Sequence, residues 1–178
     1  MSIDLRRFIS NPLIFFLFKA FILFSFWIVV YEIWLNPIGT FDLFVIDKLI
    51  IQSGYVLELF NYNLIPDVIY DTEFRTIGAD GTHGVWIGDP CNGLTVFALF
   101  TGFIIAFPGN WKKKLLFIPF GIITIHILNV IRVSALCVIL LKSPESLDFN
   151  HTYVFTSIIY AYIFLLWYWW ADKLSLDK

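Results

Sequence analysis

The chain is short of charge: of its 178 residues only 15% are Asp, Glu, Lys or Arg, while 59% are hydrophobic and 20% aromatic. A water-soluble domain of this length cannot hide so much apolar surface. That excludes an ordinary soluble fold and makes the bilayer the solvent for much of the chain. Basic residues cluster only at Lys112, Lys113 and Lys114, between two apolar segments, so there is no nucleic-acid footprint. Two cysteines, Cys91 and Cys137, are too few for a disulfide scaffold. No paired ligand stands beside His126, the histidine deepest in an apolar run, so no metal and no cofactor is expected. Internal repeats and low-complexity tracts are missing too, and residues 1–178 read as one membrane domain.

What is present is a set of apolar segments of bilayer length. The expected fold is an all-α polytopic membrane protein with about four transmembrane helices, over residues 12–35, 91–109, 115–141 and 151–170. Helix is required because lipid offers no partner to open backbone groups. The first segment follows Arg6 and Arg7, but it is long and no small-x-small cleavage site follows, so it reads as a retained anchor. The fourth ends in Trp167, Tyr168, Trp169 and Trp170, which suit the headgroup level. With four spans, Arg6, Arg7, Lys112–Lys114, Lys173 and Lys178 share one side, the cytoplasm by the positive-inside rule. The expected location is the plasma membrane, multi-pass.

Residues 36–90 then form an outer segment. Its first part, 41–60, carries Asp47, Lys48, Gln52 and Glu58 on one broad helical face, with Asp42 off that face. This predicts an amphipathic helix at the interface rather than a fifth span, which would set Arg6 and Arg7 opposite the lysine cluster. Residues 68–76 alternate in polarity, Gly78-Ala79-Asp80-Gly81 signals a turn, and 85–87 can return, so a small β-hairpin is expected outside the membrane.

Three chemically capable residues fall at that outer edge. Asp89-Pro90-Cys91 predicts a helix start, with Asp89 as N-cap and Cys91 in the first turn. There the helix dipole and unpaired N–H groups favour a thiolate and can serve as an oxyanion hole. Arg132 lies 18 residues beyond Lys114, about 27 Å at ~1.5 Å per residue, and so near the outer rim of the hydrocarbon. A charged residue inside a span is a functional candidate by default. Asn129, three residues earlier on the same face, can orient its guanidinium. His151 opens the fourth segment and suits general acid–base work. Alone, each has a plainer reading: Cys91 as apolar filler, Arg132 snorkelling or pairing with an acidic loop residue, His151 as a surface residue. Together they suggest nucleophile, anion stabiliser and base. His126 reads as a hydrogen-bonded core histidine, His83 as solvated in the turn, and a Cys91–Cys137 disulfide as an alternative that would consume the nucleophile.

The pattern resembles the exosortase/archaeosortase family. The resemblance is carried by Cys91-Asn92-Gly93-Leu94, by Asn129-Val130-Ile131-Arg132 and by Asn150-His151 opening the next span, and it covers residues 88–168. It implies a membrane cysteine transpeptidase or protease with Cys91, Arg132 and His151 catalytic and Asn129, Asn92 and Gly93 in support. It also implies as partner a substrate bearing a C-terminal sorting-signal peptide, a transmembrane helix and a basic tail, processed in contact with membrane lipid on the extracytoplasmic side. The chain has fewer spans than the longer members and Asn92 where serine or alanine is commoner, and is similar to the short variants. Two other readings stay open: a non-enzymatic assembly factor binding a partner through the outer loop and Arg132, and a small transporter lined by Arg132 and His126.

Overall fold

The computed structural model describes residues 11–65 and 75–175. Helix α1 runs over Pro12–Ile38, α2 over Thr40–Leu59, α3 over Leu94–Ala106, α4 over Trp111–Lys142 and α5 over Pro144–Leu174. Between α2 and α3, strands β1 (Thr76–Ile77) and β2 (Val85–Trp86) pair antiparallel, Thr76 opposite Trp86 and Ile77 opposite Val85. The stretch 68–74, read as the first arm of a hairpin, lies outside the described residues.

Local chemistry explains the boundaries. Asn11 caps α1 by accepting from the Leu13 N–H, with Pro12 at the first helical position, where its missing donor costs nothing. Asn110 caps α4 in the same way through the Lys112 N–H. Ser143 ends α4 in a non-helical conformation, and Pro144 starts α5.

The chain is a helical membrane protein. Helices α1, α4 and α5 are each long and apolar enough to cross a bilayer. The segment expected at 91–109 is shorter than anticipated. Helix α3 has 13 residues, about 20 Å at ~1.5 Å per residue, against roughly 30 Å of hydrocarbon. It starts late because Gly93 sits at φ 88, a left-handed conformation that the α-helix cannot include. It stops early because Phe107, ahead of Pro108, is extended (ψ 144), as the residue before proline prefers.

Two apolar clusters hold the bundle. At the end that carries Cys91, α2, the β pair and α4 bury Ile46, Leu49, Leu57, Ile77, Ile87, Val130 and Val133. Toward the lysine end, α3, α4 and α5 bury Phe100, Phe117, Ile125, Ile163 and Trp170. Phe100 lies directly over the α4 backbone at Gly121, where any β-carbon would collide with its ring. Lys114 bridges the lysine end by donating to the carbonyls of Ile105 (2.9 Å) and Phe107 (2.5 Å), the unpaired C-terminal carbonyls of α3.

Helix α2 is less amphipathic than expected, since Phe44, Tyr55 and Leu59 are exposed on it beside the polar residues. Asp47, Lys48, Gln52 and Glu58 are exposed, while Asp42, Ile46, Leu49, Ser53 and Leu57 are buried. It lies across α4, with Ser53 Oγ donating to Val130 O and Gln52 Oε1 meeting His126 Nε2. Helix α1 leans on the bundle through Phe16, edge-on to Phe103 and Phe107. Between α1 and α3 a cleft of about 380 Å³ runs past Ala20, Phe24, Ala98 and Gly102 to Glu32.

Candidate active site

Cys91 is not in the first turn of an α-helix. Asp89–Cys91 forms a single 3-10 turn ahead of Gly93, and three N–H groups at this turn are already used. Cys91 N donates to Gly88 O, Asn92 N to Asp89 O, and Leu94 N to Asn92 Oδ1. The N–H groups of Cys91, Asn92 and Leu94 are therefore not open to an oxyanion, and Asp89 does not cap α3. Instead Asp89 accepts from Arg75 Nη1 at 2.7 Å, and the Arg75 guanidinium lies over the Trp86 ring. This ion pair ties the turn to the β pair.

Two helices bring side chains to the Cys91 sulfur. His151 Nε2 stands 3.3 Å from Cys91 Sγ, and Arg132 Nη2 approaches it at 4.0 Å. Arg132 Nε is buried and bonds no group among the described residues. His151 lies two turns inside α5, not at its start, within the π-helical stretch Asn150–Val154. Such stretches add a residue to a turn and recur at functional sites. Thr156 Oγ1 donates to His151 O, five residues back, and secures this register.

Asn129 does not orient the guanidinium. Its Nδ2 donates to the Cys91 carbonyl at 2.9 Å, and the residue is buried. Because Asn129 and Arg132 share one face of α4, one helix holds both the backbone and the side chain of Cys91. Gly93 keeps this approach open, since a β-carbon there would press on Asn129 Nδ2 and the Phe97 ring. Asn92 is buried, and its Nδ2 donates to Asp42 Oδ1 at 2.6 Å.

No family model, no curated protein and no solved structure matches the chain. Its chemistry is therefore read from its own geometry: a thiol flanked by an imidazole and a guanidinium, on a turn tied down at Asp89, Cys91 and Asn92.

The other candidates fall elsewhere. Cys137 is fully buried, donates to Ile77 O, and like Cys91 is a free thiol, so the alternative disulfide is not formed. His126 pairs with Gln52, a hydrogen-bonded histidine as expected. His83 Nδ1 meets Gly84 O. Among the described residues no group of three or more His, Cys, Asp or Glu is placed to hold a metal ion. Sequence reasoning missed Tyr31, Asp42 and Arg75. The readable signal for Asp42 was a carboxylate on the apolar side of an amphipathic helix.

Proposed function

We propose that the protein is a membrane cysteine transpeptidase or protease of the exosortase/archaeosortase kind. It processes C-terminal sorting signals of exported proteins at the extracytoplasmic face of the plasma membrane. The observation that carries this reading is the 3.3 Å contact between Cys91 Sγ and His151 Nε2, with Arg132 Nη2 on the same sulfur. In the proposed reaction His151 Nε2 takes the thiol proton and Cys91 Sγ attacks the scissile carbonyl carbon. The carbonyl oxygen becomes an oxyanion facing the guanidinium of Arg132, a donor already beside the sulfur. Collapse breaks the C–N bond, His151 returns the proton to the leaving amine, and an acyl thioester remains on Cys91. An acceptor amine or water then attacks, His151 takes its proton, and the thiolate leaves and is reprotonated.

Helix α3, with the turn before it and Phe107 after it, makes the fourth crossing in this reading. The lysines at 112–114 then face the cytoplasm and Cys91 the outside. The cleft between α1 and α3 reaches Thr95, four residues beyond Cys91, and in this reading the substrate's transmembrane helix lies along it. Small residues there (Ala20, Ala98, Gly102) allow close helix approach.

The test is processing in cells of an exported protein whose C-terminus carries a motif, an apolar span and a basic end. Wild type cleaves it and an acyl adduct is trapped on Cys91, while Cys91→Ala inserts normally and cleaves nothing. Normal function in Cys91→Ala, with failure in Arg132→Ala, overturns the reading in favour of a non-enzymatic assembly factor.

A further inference from the structure

We propose that Asp42 is a positioning residue for the nucleophile turn, acting through Asn92. The inference rests on the reading of Cys91 as a nucleophile. Asp42 stands in the first turn of α2 and is completely buried. Its Oδ1 accepts two hydrogen bonds, from Tyr31 Oη at 2.5 Å and from Asn92 Nδ2 at 2.6 Å. Its Oδ2 is buried and has no partner among the described residues. A carboxylate is costly to bury, so an apolar residue would be the simpler filler at a site that only needs packing. Its short bond to Asn92 is the stronger kind that a carboxylate makes.

Asn92 does two things at once. Its amide nitrogen donates to Asp42, and its amide oxygen accepts the Leu94 N–H at 2.8 Å. Alanine can do neither, and serine has a single oxygen for both partners. The next residue back is held from the opposite side, where Asn129 Nδ2 donates to Cys91 O at 2.9 Å. Helix α2 therefore grips residue 92 while α4 grips residue 91. With both fixed, the sulfur's place between His151 and Arg132 depends on one side-chain rotation. Remove the Asp42 grip and the turn pivots about Asn129, which shifts Sγ away from Nε2. Displacements on the 1 Å scale cost reacting groups about 10²-fold in rate.

The experiment measures alkylation of Cys91 by iodoacetamide in the purified full-length protein at neutral pH, with the labelled site read by mass spectrometry. Cys137 is buried and serves as the silent control. Asp42→Ala and Asn92→Ala are each expected to slow labelling about tenfold, and the double variant to be no slower than either single, as for two members of one contact. Asp42→Asn is expected to label within about twofold of wild type, because one amide oxygen still accepts both bonds. In a His151→Ala background, Asp42→Ala is expected to add nothing, which a merely structural role would not produce.

Additive singles, wild-type labelling in Asn92→Ala, or a loss in Asp42→Asn as large as in Asp42→Ala each overturn the proposal. If Asp42→Ala does not insert, Asn92→Ala and Asp42→Asn decide it. Slowed labelling in His151→Ala, with wild-type labelling in Asn92→Ala, sinks this inference alone. Wild-type labelling in His151→Ala sinks the reading of the site itself.

Discussion

At Cys91 the thiol is reached by one group inside an apolar run and one at the edge of another, and that placement made them visible. Arg132 interrupts a run of aliphatic residues, and His151 stands where a long apolar segment begins. Each is an ionisable group at the rim of a span, a position at which composition alone raises suspicion. Asn129 was legible as a supporter of Arg132 because the two share a helix face. Which bond it makes was not, because helical spacing says that two side chains face one way but not what they meet. Tyr31, Asp42 and Arg75 were hidden because their partners are far along the chain. Arg132 and His151 also differ in how they tolerate replacement. Arg132→Lys is expected to lose most of the activity that Arg132→Ala loses, since an ammonium cannot reproduce the planar fork. His151→Ala is expected to lower the processing rate by about 10²–10⁴-fold, the scale of a general acid–base group. Single-turnover measurement of cleavage checks both.

Helices α1, α4 and α5 were readable as elements because apolar runs of bilayer length have few other uses. The start of α3 was not, because Asp89-Pro90 is a good helix opening and only the left-handed Gly93 defers it. The π-helical register around His151 was invisible for a similar reason, since no residue type marks one extra residue in a turn. Two element-scale predictions follow from glycine positions. Gly93→Ala is expected to cost more than the ~1 kcal/mol that separates alanine from glycine where the backbone suits both, because φ 88 strains any β-carbon and Asn129 is pressed aside. Both stability and Cys91 labelling should fall. Gly121→Ala is expected to destabilise the α3–α4 contact by about 1–3 kcal/mol, the usual cost of overpacking. Adding Phe100→Leu should recover part of that loss. Denaturation of the detergent-solubilised variants, read as a double-mutant cycle, measures it.

For the molecule as a whole, the three long apolar helices followed from composition, and Cys91, Arg132 and His151 meet at one end as expected, although one of the four segments counted to place them there forms only the 13-residue α3. What counting could not supply is the arrangement of α1, whose α-helical stretch Pro12–Trp27 buries no residue and which borders the cleft against α3. Gly102→Trp should fill that cleft, since nothing lies within 4 Å of a β-carbon built there. The expected outcome is slowed processing of a membrane-anchored substrate with unchanged iodoacetamide labelling of Cys91, a separation of access from chemistry. Helix α4 meanwhile grasps α3 at both extremities, with Lys114 on its final carbonyls and Asn129 on the turn that precedes it. The two helices thus form a single strut of fixed length. Neither can slide along the other without surrendering a hydrogen bond, so the turn that carries Cys91 keeps its height along α4.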